Sequence, residues 1–428
     1  MLDFSITNNK HNYIIILHTS NPEIMETKHS RIFPLAVIGM LFIFTLNCEK
    51  DDRVEISFAG GIGTQADPYL IATPEQLDGV RHNMDKHFKQ ITDIDLSGYS
   101  SGQGWQPIGK GYSTKGFTGT FDGNGYKITN LTINRPRLSG DHKLHDVGLF
   151  GYTDGSTIKN VGLVNIKITG NLHVGSLVGN NRGNIINCYA SGDFSGSGTP
   201  LGGLVGTNEG EIRNCHASVD VFAYRRVGVY DGYGDWQVGG LVGLNSYNGN
   251  IIDSYATGDV SGEALVGGLV GRNLGHVKSS YATGDVSGER EIGGLVGAMG
   301  RDYLITEYGV INDSYATGDV SGNMEMIGGL VGELMHGYIT NSYSAGNVSG
   351  NKSAGGLLGD FSRHSITYHG NIDYSYYDKE TTGQDDTGKG IPRTTAEMMQ
   401  QSTFESWDFT NIWRINEGNS YPYLRWQE

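Results

Sequence analysis

The chain has 428 residues, and 66 of them are glycine, roughly 15% against a usual share of ~7%. With 24 Tyr, only 9 Pro and abundant Val, Ile and Thr, this composition excludes a helical protein and points to a turn-dense all-β one. A net charge of −15 excludes nucleic acid as a partner, because binding a phosphate backbone needs a basic surface.

The first 48 residues stand apart. The stretch METKHSRIFPLAVIGMLFIFTLNCEKDD begins at Met25, with Lys28 and Arg31 ahead of an apolar run from Ile32 to Leu46 and then Cys48. That run is shorter than the ~20 residues of a spanning helix and fits a signal peptide. Residues 1–24 add nothing to an export signal, so Met25 is the expected start. Residues 1–48 are then an upstream extension plus signal, and 49–58 an acidic linker. The sequence TLNC resembles the lipid-attachment box of bacterial lipoproteins, with Cys48 as the lipidated residue. CEKDD resembles the acidic signal that sends lipoproteins of Bacteroides-like bacteria to the outer surface. The resemblance implies an exported, surface-exposed lipoprotein held to the outer membrane by acyl chains. An ordinary cleaved signal and an uncleaved anchor remain the alternatives.

Residues 59–147 read as an N-terminal cap and first irregular coils. Thr73-Pro74-Glu75-Gln76 is a capping box with Pro at the first helical position, so a helix is expected over about 74–86. The phrases at 91–98, 105–109 and 117–133 alternate strand formers with Gly-rich turns and read as strands.

From 148 to 378 the chain repeats itself. Gly-Leu-Val-Gly stands at 203–206, 240–243, 268–271, 294–297 and 329–332, with variants at 148–151, 176–179 and 356–359. Ser-Tyr-Ala-Thr-Gly-Asp-Val-Ser-Gly stands at 254–262, 280–288 and 314–322, with looser copies at 188–196, 215–221 and 342–350. A unit of about 27 residues with short β-runs and no helical period cannot bury a core alone, so it must stack. The predicted fold is an all-β parallel β-helix, a solenoid coiled right-handedly by the crossover rule, with short helix-containing N- and C-terminal caps. Alternation over 280–286 places Ser280, Ala282, Gly284 and Val286 inside and Tyr281, Thr283 and Asp285 outside. Both residues of each Leu-Val pair look buried. The segment resembles the GLUG-motif repeats of bacterial surface proteins. Residues 379–428, with helix and aromatic signals, are the expected C-terminal cap.

Three features could carry chemistry. Tyr189, His216, Tyr255, Tyr281, Tyr315, Tyr343 and Tyr376 form one outward ladder, and Asp193, Asp220, Asp259, Asp285, Asp319 and Asn347 another. They read either as packing and turn capping or as a strip that stacks on sugars and collects Ca²⁺, with no other cofactor expected. Three copies spend more residues after Gly-Leu-Val-Gly or differ there, at 298–309, 333–338 and 360–370, and these segments leave equivalent turns of consecutive coils. They bring Arg301, Asp302, Tyr303, Glu307, Tyr308, Glu333, His336, Tyr338, Asp360, Arg363, His364, Tyr368 and His369 to one edge. Loops on a rigid scaffold are where binding concentrates. Cys188 and Cys215 sit in equivalent places of neighbouring coils, so a disulfide is one reading and two small buried thiols the other. The expected function is an adhesin whose loops bind an extracellular glycan or a host or matrix protein. A polysaccharide-degrading β-helix enzyme and a passive spacer are the alternatives.

Overall fold

In a computed structural model of the chain, the described residues are 3–9, 12–18 and 56–428, apart from 110–115, 137–145, 197–198, 225–235, 301–307 and 362–368. The chain forms two units, Met1–Val54 and Glu55–Glu428. In the first, Asp3–Asn9 pairs antiparallel with Asn12–His18. The expected signal peptide and Cys48 lie outside the described residues.

The second unit is the expected parallel β-helix. One full coil runs through Ala264–Gly267, Val270–Asn273, His276–Lys278, Tyr281–Ala282 and Val286–Gly288 before Arg290–Gly293 opens the next. Each short strand pairs in parallel with its counterpart one coil away. Val242, Val270, Val296, Val331 and Leu358 therefore follow one another in register, as do Tyr255, Tyr281, Tyr315, Tyr343 and Tyr376.

The repeated words encode the interior. Leu269 and Val270 are consecutive, yet both are fully buried. A strand would send them to opposite faces. Here the carbonyl of Leu295 accepts from both the Leu269 and the Val270 amide, at 2.9 and 3.0 Å, and the chain bends between them. The carbonyls of Leu204, Leu241, Leu269, Leu330 and Leu357 do the same. Each buried Leu or Val contributes about 1.5–3 kcal/mol relative to exposure. The preceding glycines permit the bend: a Cβ on Gly268 would lie 2.2 Å from the carbonyl oxygen of Gly294. The parity over 280–286 is as expected, with Ser280, Ala282, Gly284 and Val286 buried and Thr283 and Asp285 exposed.

Two buried polar columns brace the coils. Asn181, Asn208, Asn245 and Asn273 donate side chain to side chain, at 2.8, 2.9 and 2.8 Å. The last amide donates to the Val310 carbonyl, and Met299, Leu334 and Phe361 continue the column. Ser254, Ser280, Ser314, Ser342 and Ser375 form the second column. Each hydroxyl donates to the carbonyl two residues back and, from Ser280 onward, accepts the amide of the serine one coil earlier.

Cys188 and Cys215 begin this serine column and are both free. Their thiols donate to Ile186 and Arg213 carbonyls at 3.3 and 3.2 Å, and Cys215 Sγ accepts from the Cys188 amide. The disulfide reading is therefore corrected: the pair does the work of two serines.

At the N-terminal end, Thr73 caps a helix at Pro74–Gly79 that passes into a 3-10 turn at Val80–His82, so the helix is shorter than expected. Tyr69–Ile71, His87–Gln90 and Thr120–Asp122 stack in parallel onto Phe150–Lys159 as the first coils. Residues 105–109 form no strand; isolated bridges at Gly104 and Ile108 replace it, and Trp105 is buried there.

The C-terminal segment departs most from expectation. Ile391–Arg393 pairs with the last Tyr strand, as an end cap should. The chain then doubles back through Thr395–Met398 and the hairpin Trp413–Arg414 with Tyr423–Leu424, and runs along the outside of the tyrosine ladder. Met398, Phe404, Trp407, Trp413 and Leu424 bury Tyr315, Tyr343 and Tyr376 in a second hydrophobic core outside the coil.

Candidate functional site

The loop edge is built by stacked exits. Two excursions leave after Met299 and Phe361; Leu334 lies in register between them, but there Met335 alone joins Val331–Leu334 to His336–Thr340, so the expected excursion at 333–338 is a tight turn. The chain returns at Gly309, Gly337 and Gly370, again in register. The two loop mouths therefore lie on one edge, one on either side of the turn at Met335. At this edge Tyr308 and Tyr338 lie 6.1 Å apart between ring centroids, and Tyr338 is 47% exposed. His336 sets its ring edge-on to Tyr308 at 6.3 Å, but it is only 1% exposed and supports the aromatic pair from beneath.

Asp360 and Glu333 are neighbours in register. Asp360 is partly buried and already engaged: it accepts from Ser353 at 3.2 Å and pairs with Lys389 of the C-terminal segment at 3.5 Å. It therefore ties the cap to the last coil and is corrected from a ligand contact to a structural tie. Glu333 is 4% exposed. Arg301, Asp302, Tyr303, Glu307, Arg363, His364 and Tyr368, and the side chain of His369, lie outside the described residues.

The tyrosine ladder is a rack of parallel plates. From Tyr189 through His216, Tyr255, Tyr281 and Tyr315 to Tyr343, successive rings are 4.6–5.1 Å apart and within 8° of parallel. Ring faces are spent on one another, so the ladder shows solvent its edges. The outermost face, on Tyr189, lies against Gly162, where a Cβ would come within 2.5 Å of the phenol. Flat stacking of sugars on this strip, one of the two readings above, is excluded by that geometry. Burial under the C-terminal segment pushes Tyr281 up to about 12 and Tyr343 well above the ordinary phenol range.

The acidic ladder is likewise structural. Oδ1 of Asp220, Asp259, Asp285 and Asp319 accepts the amide of the residue one coil on, at 2.9–3.0 Å. The aspartates brace the next coil rather than their own turn. Among the described residues no group of three or more His, Cys, Asp or Glu side chains is placed to hold a metal ion.

Sequence reasoning missed the asparagine column and the C-terminal cover. The column had a signal, since Asn stands two residues after Gly-Leu-Val-Gly or its variant at 181, 208, 245 and 273. The cover had none beyond the aromatic run of its final residues.

Comparison with known proteins bears on the repeats. The family described as the GLUG motif matches residues 170–195, 197–221, 234–261 and 262–287. The chain carries GLUG repeats. A relative from Evansella cellulosilytica, named a Gly-rich membrane protein, is 39% identical over 435 residues, covering 91% of this chain and 48% of that protein. Halomucin of Haloquadratum walsbyi is 32% identical over 266 residues, which is 53% of this chain and 3% of that protein. The chain thus spans about half the length of one curated relative and a small part of the other. Among solved structures, one described as an immunoglobulin A1 protease from Bacteroides ovatus aligns over 87% of this chain and 96% of its own, with TM-score 0.45 and 20% identity. Another, titled IgA1 Protease, aligns over 71% of this chain and 21% of its own, with TM-score 0.46 and 18% identity.

Proposed function

We propose that this GLUG-repeat β-helix is an exported, surface-attached binding protein that presents its loop edge to an extracellular glycan or to a host or matrix protein. The observation that carries the reading is the placing of two loop mouths on one edge, either side of the tight turn at Met335, with Tyr338 exposed against Tyr308 between them. Exposed aromatics on a rigid frame give contact area at low entropic cost, which favours recognition. The membrane designation of the Evansella relative supports a surface location. Attachment through lipidated Cys48 is part of the proposal.

The test mixes the full chain and Tyr338→Ala with labelled polysaccharides and with extracellular-matrix proteins, and follows complex size by gel filtration. A shift to larger size that Tyr338→Ala weakens about tenfold or more supports the reading, since centrally placed aromatic anchors typically contribute at least ~2 kcal/mol. A shift of the polysaccharide to smaller fragments overturns it in favour of a degrading enzyme. Radiolabelled palmitate that enters the wild type and not Cys48→Ala supports the anchor. Equal labelling refutes it.

A further inference from the structure

The C-terminal segment covers only part of the ladder, and where it stops it forms a groove. Its last aromatic, Trp426, lies 6.1 Å from Tyr255 and 5.7 Å from Tyr281 between ring centroids. Its indole N–H donates to the Ser279 carbonyl at 2.9 Å, so the ring is a fixed wall. Beyond it the edges of Tyr189, His216 and Tyr255 form a floor that is only partly buried. Asn187 and Asn214 flank this floor. Both are exposed, both sit in the left-handed region at φ 54° and 52°, and Asn214 donates to Asn187 at 2.7 Å. The groove encloses about 430 Å³, within the ~300–1,000 Å³ of small-ligand sites.

We infer that this groove is a binding site for a neutral oligosaccharide, seated along the ladder's edges between the asparagine row and Trp426. It deepens the proposed binding function, on which it rests, and adds a second site away from the loop edge.

The chemistry of the lining selects the ligand. The groove is lined by the amides of Asn187, Asn214 and Gln427, by three phenols, an imidazole and the Trp426 indole, with the Cys188 thiol at its edge. Burial lowers the pKa of His216, so at neutral pH its ring is uncharged, with one nitrogen to donate and one to accept. No lining residue then carries a charge, although the whole chain carries −15. An anionic or cationic ligand would find no counter-charge there. A sugar chain offers what the lining matches, with hydroxyls along its edges and an apolar ring face for an indole. The repeat also matters. Floor groups recur every 4.6–5.1 Å. An extended peptide repeats its same-side groups every ~6.6 Å, twice the ~3.3 Å strand rise, and drifts out of register within two rungs.

The test titrates the full chain with cellohexaose, mannohexaose, xylohexaose and chitohexaose, read by tryptophan fluorescence and calorimetry at pH 7. The deciding variant is Asn187→Gly with Asn214→Gly. It removes both amides where glycine suits the backbone, so the fold is kept. Binding of at least one hexasaccharide, weakened about tenfold by the double variant, supports the site. No hexasaccharide binding at millimolar concentration overturns it. Sugar binding lost in Tyr338→Ala and kept in the double variant overturns the groove and leaves the loop-edge reading standing. If a peptide of residues 418–428 binds and the sugars do not, the groove takes polypeptide and the inference fails.

Discussion

Replacing Asn245 by leucine tests whether the buried amide column is a stabilising network or a run of interchangeable fillers. Asn245 is fully buried. It accepts from Asn208 at 2.9 Å and donates to Asn273, to the Gly249 carbonyl and to the His276 carbonyl, at 2.8, 3.2 and 3.3 Å. Leucine is close in volume, and the same column holds Leu334 without exposure, so shape alone predicts a mild effect. The hydrogen bonds predict otherwise. Each contributes about 0.5–1.5 kcal/mol net, and a buried partner left unpaired costs about 1–3 kcal/mol. Offset by the added apolar burial, the expected loss is about 3 kcal/mol. Met299→Leu, an apolar swap in the same column, should cost less than about 1.5 kcal/mol. Urea unfolding by tryptophan fluorescence gives the totals, and hydrogen exchange over residues 242–252 shows where protection is lost. The double variant Asn208→Leu with Asn245→Leu should cost less than the sum of its parts, because the shared bond is counted twice. A loss under about 1 kcal/mol for Asn245→Leu would refute the network account.

Trp413→Ala should cost about 3–5 kcal/mol, because the ring is fully buried against Tyr315, Tyr343 and Trp407. The damage should stay local, with faster proteolysis of residues 404–428 and unchanged exchange in the coils; exchange rising throughout the coils would show that the cover holds the solenoid together. Cys215→Ser should change stability by under about 1 kcal/mol, since serine fills the same rung in the next five coils. Neither Cys188 nor Cys215 should react with a thiol reagent until the protein unfolds, because both are buried and burial raises Cys188 well above its ordinary value. Prompt reaction would refute this. Asp146 is 2% exposed, neither carboxylate oxygen has a hydrogen-bond partner among the described residues, and desolvation raises its pKa from 3.8 to about 7. Its folded state therefore keeps a proton that the unfolded chain releases above pH ~4, so stability falls as pH rises from about 4 to 7, by up to ~4 kcal/mol. Asp146→Asn should remove that decline in denaturant titrations at pH 4.5 and 7.5, and an unchanged decline would refute the assignment.

The architecture was legible because repetition is visible without knowing what any residue touches. The spacing of Gly-Leu-Val-Gly implied stacked coils, and alternation over 280–286 placed Ala282 inside and Tyr281 outside. The limit of that reasoning lies at the same tyrosines. Alternation tells which side of a strand a ring leaves from, not what lies beyond it. Tyr343 points out of the coil and is still 2% exposed, because Trp407 and Trp413, more than 60 residues later, fold back over it. No local pattern announces a contact of that separation. The loop edge was legible as an edge, because copies of unequal length must differ at their turns. It was not legible in detail: His336 turned out to be a buried support and Asp360 a tie to Lys389, roles set by a neighbouring coil and by the C-terminal segment.

The two places where binding is proposed share one property. A solenoid of near-identical coils presents near-identical surfaces, and a surface that repeats without end selects no position for a ligand. Position comes only from broken symmetry. Asp220, Asp259, Asp285 and Asp319 each hold the next coil's amide, and none of these four rungs differs from its neighbour. The loop edge breaks the pattern by unequal turns on three successive coils. The ladder breaks it where Trp426 ends the cover and His216 takes a tyrosine's place between Tyr189 and Tyr255. Converting His216 to Tyr would restore the ladder's uniformity while keeping the ring stack, so stability should hold within about 1 kcal/mol. Hexasaccharide affinity should nevertheless fall, because a longer phenol would fill the floor of the groove. Unchanged affinity in His216→Tyr, measured by the same calorimetric titration, would mean that the break in the ladder plays no part in recognition.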